Sequence, residues 1–180
     1  LLEACTEQNS EAVALGHTAN DQSETILMHL IRGSGLDGLT GMKLLSNRVI
    51  EKDPPLKVFR PLLEIARIDI EAYCSAVGET PRIDSTNFSD DHTRNSIRHN
   101  LLPALENFNP RITEALNRLA LSTKRDLEFI EEASYGAWTA AADVDTGIVT
   151  IDLEKWGNLP ESLSYRLIRK AVGVIKGNLN

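Results

Sequence analysis

The chain has 180 residues, 42% of them hydrophobic and 25% charged, a globular composition that excludes disorder as the default. At this length it holds one ordinary domain, or one domain and part of another. A net charge of −7 excludes a basic nucleic-acid arm, while leaving room for a local basic patch.

No apolar run reaches about 18 residues, so no membrane span is expected. Cys5 and Cys74 lie far apart and neither belongs to a C-x-x-C pair. Local cysteine spacing therefore builds no zinc or iron–sulfur site, and two reduced thiols in a cytoplasmic protein are expected. The chain starts Leu1-Leu2-Glu3-Ala4 and ends Gly177-Asn178-Leu179-Asn180. The start reads as the interior of a helix and the end lacks a closing element, so a piece of a longer protein is expected.

In chain order, residues 1–9 read as the tail of a helix and residues 11–16 as a short strand. Residues 19–32 have helical spacing, with Ile26, Leu27, Leu30 and Ile31 on one face and Gly33 as the stop. A glycine-rich loop runs from Gly33 to Gly41. Two short strands are expected around Asn47–Glu51 and Leu56–Phe59, split by a turn at Asp53-Pro54-Pro55. Residues 64–77 read as an amphipathic helix with Ile65, Ile68, Ile70, Tyr73 and Val77 near its apolar side, closed by Gly78. Residues 79–91 are polar and irregular. Residues 93–107 read as helix, kinked or divided by Pro103.

Pro110 opens a long helix to about Ala142. Ile112, Leu116, Leu119, Leu127, Ile130 and Trp138 give it one apolar face. A strand at Gly147–Asp152 and a helix from Pro160 to about Lys176 complete the chain. Strands and helices alternate before residue 108 and helix dominates after it. A domain boundary is expected there, giving regions 1–107 and 108–180.

Gly33-x-Gly35-x-x-Gly38 matches the dinucleotide fingerprint in letters only. That fingerprint needs a strand before it and a helix after it; here a helix precedes it. A loop with several positive-φ positions is the better account.

The segment Gly16-His17-Thr18-Ala19-Asn20-Asp21-Gln22-Ser23-Glu24-Thr25 carries an imidazole and two carboxylates where a strand gives way to a helix. Ligands of open α/β sheets bind at such strand ends. Thr18 reads as the helix cap, with Asp21 completing a capping box. Capping alone does not explain His17, Asp21 and Glu24 together. The carboxylates suit Mg²⁺ or an ammonium group, and the imidazole at a helix N-terminus suits phosphate charge.

A second cluster is Asp84-Ser85-Thr86-Asn87, followed by Arg94-Asn95-Ser96-Ile97-Arg98. Arg94 and Arg98 lie one helical turn apart. Their planar donor forks suit phosphate or carboxylate; a solvated basic face is the alternative. Asp84 and Asn87 suit a turn equally well.

These residues resemble the tRNA(Ile)-lysidine synthetases of the PP-loop ATPase superfamily. The resemblance rests on ordered blocks across residues 11–110. They are Gly16-His17, Asp21-Gln22, Glu24-Thr25, Arg32-Gly33-Ser34-Gly35-Leu36, Gly38-Leu39, Gly41-Met42, Arg60-Pro61-Leu62-Leu63, Arg67 and Tyr73, Asp84 with Thr86-Asn87, Arg94-Asn95-Ser96-Ile97-Arg98 and Leu101-Leu102-Pro103. The family has two aspartates where this chain has Asn20-Asp21, with Asp21 taken as the essential one, and often an aromatic where His92 stands. The superfamily's phosphate-cradling S-G-G-x-D-S loop is not in these 180 residues; it is expected upstream of Leu1, so the fragment alone is expected to be inactive.

The resemblance implies an α/β fold: the C-terminal part of a Rossmann-like (adenine nucleotide alpha hydrolase-like) parallel-sheet domain, then a mainly helical, tRNA-binding or linker domain. It implies a ligase that uses ATP and Mg²⁺. The enzyme would adenylate the wobble cytidine of an isoleucine tRNA with a CAU anticodon, and the ε-amine of L-lysine would then displace AMP from C2 to form lysidine. His17, Asp21, Glu24 and Arg94 would be catalytic, with Asp21 also a Mg²⁺ ligand. Arg98, Asn95, Arg32 and Asn87 would bind substrate. Residues 108–180 would hold the anticodon stem or brace a homodimer. A related PP-loop tRNA thiolase is the competing enzyme, disfavoured by the missing C-x-x-C pairs. A non-catalytic tRNA-binding module is disfavoured by the retained acid, imidazole and guanidinium groups.

Overall fold

The computed structural model describes residues 5, 7, 8, 10–50, 53–80 and 92–176. The chain forms two compact units, Leu1–Lys124 and Arg125–Asn180. The helix expected over residues 1–9 falls mostly outside the described residues.

In the first unit, strand β1 (Ala12–Ala14) leads into helix α1 (Ala19–Ile31) and a one-turn helix α2 (Leu36–Leu39). Strands β2 (Leu45–Ile50) and β3 (Asp53–Phe59) form a hairpin, followed by helix α3 (Arg67–Ala76). The sheet order is β1-β3-β2. β1 runs parallel to β3, with Val13 opposite Val58, whereas β2 is antiparallel to β3, with Asn47 opposite Lys57. The expected parallel sheet is therefore mixed, because a tight hairpin can join only antiparallel strands.

The Asp53-Pro54-Pro55 segment, expected as a turn, is the start of β3. Pairing jumps from Arg48–Leu56 to Ile50–Asp53, so the two prolines form a bulge on β3 opposite Val49. Proline donates no ladder hydrogen bond and is tolerated at such bulges.

Helix α1 is buried along its first half, where the expected Ile26 and Leu27 are joined by Gln22, Ser23, Glu24 and Thr25. Leu30 and Ile31, expected on the same apolar face, are exposed. Buried polar groups require partners, and each of these four has them. The Ser23 hydroxyl lies between the carbonyls of Ala19 (3.1 Å) and Thr113 (3.3 Å). Asn117 Nδ2 donates to those same carbonyls at 3.0 and 2.9 Å, and Thr25 donates to the Asp21 carbonyl at 2.8 Å.

Helix α3 differs more from expectation. It buries no residue, and Ile68 and Tyr73 are 72% and 68% exposed, so the expected apolar side does not become a core face among the described residues.

The helical run after residue 92 comprises α4 (His92–Ser96), a single π turn (Ile97–Leu101) and α5 (Leu102–Glu106). The Leu102 N–H donates to the Ile97 carbonyl, five residues back. In a regular α-helix those two side chains would point about 140° apart. The wider turn stacks them on one side, and both are buried in the core with Ile26, Leu27, Leu116 and Ala120. Pro103 follows directly; its ring needs room against the preceding turn, which a widened turn supplies.

Helix α6 (Ile112–Ala141) contributes Leu116 and Ala120 to this core. Its final turns belong to the second unit, with a hairpin of β4 (Ala142–Asp145) and β5 (Ile148–Ile151), a short helix α7 (Leu153–Gly157) and α8 (Glu161–Lys176). Thr146 and Gly147 both have positive φ, 41° and 82°, as a two-residue hairpin turn of the primed type demands. Trp138, Ala141, Leu167 and Ala171 form the core of this unit. Lys170 Nζ lies 4.9 Å from the centre of the Trp138 ring and 5.1 Å from that of Tyr135.

Cys5 is buried, Cys74 is half-buried, and both are free. Among the described residues no helix is long and apolar enough to cross a membrane.

Candidate functional site

Thr18 caps α1 as its sequence pattern predicts. The Asp21 N–H points to Thr18 Oγ1 at 3.4 Å, while Asp21 Oδ2 accepts from the Thr18 N–H and hydroxyl, both at 2.9 Å. This box turns the other Asp21 oxygen away from the cap and places Glu24 one turn further along.

Helix α4 and the π turn bring Arg94 and Arg98 onto these acids. Arg98 Nε donates to Glu24 Oε1 at 2.6 Å, and its Nη2 donates to Glu24 Oε2 at 2.9 Å. Arg94 Nε reaches Glu24 Oε2 at 2.8 Å. Both guanidiniums share Asp21 Oδ1, at 3.1 Å from Arg94 and 3.3 Å from Arg98. The Glu24 side chain is 3% exposed and that of Asp21 is 20%. Glu24 is thus the anchor, and Asp21 is the acid a ligand can reach. The Glu24 hydrogen bond is the main cause that raises Arg98 above its ordinary value, so it stays a cation.

His17 lies in the chain between β1 and α1, close enough to Asp21 and Arg94 to feel their charges. Burial pushes its imidazole below the ordinary histidine value; the Asp21 charge opposes this, and those of Arg60 and Arg94 reinforce it. Arg60, directly after β3, donates from Nε to His17 Nδ1 at 3.2 Å.

The structure thus gathers His17, Asp21, Glu24, Arg94 and Arg98. Asn95 is half-buried, about 100° around the helix from Arg94. Arg32 is the C-cap of α1, roughly 16 Å along the helix from Asp21 at about 1.5 Å per residue, so it does not join the cluster. Asn87, with Asp84 and Thr86, lies outside the described residues.

Arg60 and Gln22 are roles that the sequence reading missed. Gln22 Oε1 accepts from the Met42 N–H at 2.7 Å, and its Nε2 donates to the Met42 and Thr40 carbonyls at 3.1 and 3.4 Å. It therefore clamps the end of the glycine-rich loop. Both residues sit inside the family blocks, but their partners are distant in sequence. The loop itself has positive φ at Gly33 and Gly41, 74° and 65°, while Gly35 caps α2 and Gly38 lies within it.

Asp21 was also a candidate Mg²⁺ ligand. Here its oxygens accept from two guanidiniums and from the Thr18 N–H and hydroxyl, so a cation would have to displace a guanidinium from Oδ1 to bind. Among the described residues no group of three or more His, Cys, Asp or Glu is placed to hold a metal ion.

A short parallel strand pair leading into a capped helix, with charged groups clustered at the strand end, is the pattern of nucleotide-using α/β domains. A family model described as the PP-loop domain matches residues 1–105, and the chain belongs to that family. Along most of its length it is similar to proteins named tRNA(Ile)-lysidine synthase. The one from Clostridioides difficile is 35% identical over 93% of this chain and 35% of that protein. The one from Clostridium perfringens is 36% identical over 97% of this chain and 35% of that protein. The one from Symbiobacterium thermophilum is 36% identical over 94% of this chain and 36% of that protein. The chain spans about a third of the length of these curated relatives. Among solved structures, the U34-tRNA thiolase NcsA from Methanococcus maripaludis matches with a TM-score of 0.49 and 18% identity, over 70% of this chain and 39% of that one.

Proposed function

We propose that this chain carries part of the catalytic domain of a cytoplasmic tRNA(Ile)-lysidine synthase, and that residues 108–180 lead into its tRNA-handling part. The whole protein would use ATP to adenylate the wobble cytidine of an isoleucine tRNA. The ε-amine of lysine would then attack C2 and displace AMP. The observation that carries this reading is the closed cluster of Asp21, Glu24, Arg94 and Arg98 beside His17, in a chain similar to lysidine synthases over most of its length.

The chain's own residues divide the work by reach. Glu24, buried, holds both guanidiniums in place. Arg94 and Arg98 present cationic edges to an anion, the lysine carboxylate or a phosphate. Asp21, partly exposed, receives the lysine ammonium once it displaces a guanidinium from Oδ1. His17 stabilises negative charge that develops during adenylation.

The test is incorporation of labelled lysine into isoleucine tRNA by the complete protein that carries this chain. ATP- and lysine-dependent incorporation is expected, lost in His17→Ala and Asp21→Asn with the fold retained. An intact, folded protein that labels no isoleucine tRNA overturns the reading.

A further inference from the structure

We propose that Arg60 is a positioning residue that locks His17 as the neutral Nε2–H tautomer, so that His17 meets substrate only as a hydrogen-bond donor to an oxyanion.

The argument is one of donors and acceptors. A guanidinium has no acceptor and does not deprotonate in proteins. Its Nε–H, 3.2 Å from His17 Nδ1, therefore requires a lone pair on Nδ1, and a neutral ring then carries its proton on Nε2. The hydrogen bond at one ring nitrogen decides the state of the other.

Arg60 is rigid enough to impose this choice. Its Nη1 donates to the Lys43 carbonyl and to Ser46 Oγ, both at 2.9 Å. Its backbone N–H donates to the Leu44 carbonyl at 2.8 Å. The guanidinium is thus tied to the approach and the first residues of β2 as well as to His17.

The charged groups facing His17 are Asp21 from α1, Arg60 from the end of β3 and Arg94 from α4. Asp21 alone favours an imidazolium; burial and the two arginines oppose it. A base would have to use the nitrogen that Arg60 already occupies, which leaves the Nε2–H as the working edge.

The tautomer stands apart from the proposed lysidine chemistry; only the kinetic consequence rests on it. The first test is nitrogen NMR of the complete protein labelled at histidine, near neutral pH. His17 is expected to show an unprotonated Nδ1 and a protonated Nε2, with Arg60→Met giving mixed tautomers and Arg60→Lys an intermediate pattern. A protonated Nδ1 in the wild-type protein overturns the proposal, whether or not any variant folds. So does an unchanged tautomer in folded Arg60→Met.

The second test is kinetic. Arg60→Met should lower kcat about tenfold, the low end for losing a group that orients a histidine, with KM for lysine unchanged. It should also move the acid limb of the pH profile to higher pH, because a cation facing the ring is gone. His17→Gln, which keeps a donor near Nε2, should retain more activity than His17→Ala. An acid limb that stays put makes Arg60 merely structural and overturns the proposal. A tautomer as expected in a protein that labels no tRNA would instead overturn the lysidine reading.

Discussion

Arg98 grips Glu24 with two edges of one guanidinium, Nε on Oε1 at 2.6 Å and Nη2 on Oε2 at 2.9 Å. The two residues are 74 positions apart, so this pair fastens the α4 region to α1 directly beside the candidate site. Truncating Glu24 removes the carboxylate that both guanidiniums share and leaves them sharing Asp21 Oδ1. Breaking a fully buried pair costs about 3–5 kcal/mol. Here the arginine side chains keep 27–29% exposure, so Glu24→Ala is expected to lower stability by about 2–4 kcal/mol. Urea titration of Glu24→Ala, Arg98→Ala and the double variant should give a coupling of at least about 1 kcal/mol; additive losses would mean that the pair is not a structural unit.

Gly41 has φ +65°, and a Cβ there would lie 2.6 Å from Gln22 Oε1. Gly33 has φ +74° with nothing within 4 Å. Both Gly→Ala changes strain the backbone by about 1–2 kcal/mol. Only Gly41→Ala also pushes on the Gln22 clamp, so it should lower the melting temperature further than Gly33→Ala. Equal losses in a side-by-side melt would show that the clamp gives way freely.

Histidine protonation gives a signed pH effect. The folded-state value of His17 lies below 6.5, so in that window the unfolded chain binds more protons than the folded one. Stability then rises with pH through the window, is complete above 6.5, and is lost as pH falls towards the folded value. Chemical denaturation midpoints of wild type and His17→Gln, compared across weakly acid pH, should show a shallower slope in the variant. Parallel curves would remove His17 as a source of that dependence.

Asn20 Oδ1 accepts the Arg67 N–H at 3.0 Å and so caps α3 from a different helix, where the N-cap Ala66 has no side chain to do so. Asn20→Ala should lower stability by about 0.5–2 kcal/mol, as lost caps do. Asn20→Asp keeps the acceptor and adds a negative charge at a helix N-terminus, so its thermal melt should match or exceed wild type. A loss equal to that of Asn20→Ala would show that the contact is not a cap. Asn20 thus has a scaffold role, holding the start of α3 from α1.

Local patterns were legible in the sequence and distant partners were not. The Thr18–Asp21 box lies within four residues, so its letters suffice. His17, Asp21, Glu24, Arg94 and Arg98 carry chemistry that their residue types announce. Arg60 beside His17 and Gln22 against Met42 depend on tertiary approach, which no local pattern encodes. Strand β4 escaped notice because Ala142-Asp143-Val144-Asp145 continues a helical run without punctuation; the turn at Thr146-Gly147 was the available signal. Leu30 and Ile31 have helical spacing, yet burial along α1 ends where its neighbours end. The composition boundary at residue 108 and the compact-unit limit after Lys124 measure different things, since α6 runs through the latter unbroken.

The π turn at Ile97–Leu101 holds one residue more than a regular helix needs. Removing exposed Asn100 would return the segment to ordinary pitch and still leave Ile97 beneath Leu102, since residues four apart stack in an α-helix. What resists the deletion is Pro103, whose ring would then meet a carbonyl at normal helical distance. The surplus residue and the proline are therefore a matched pair, and a shorter homologue of this segment should have lost both.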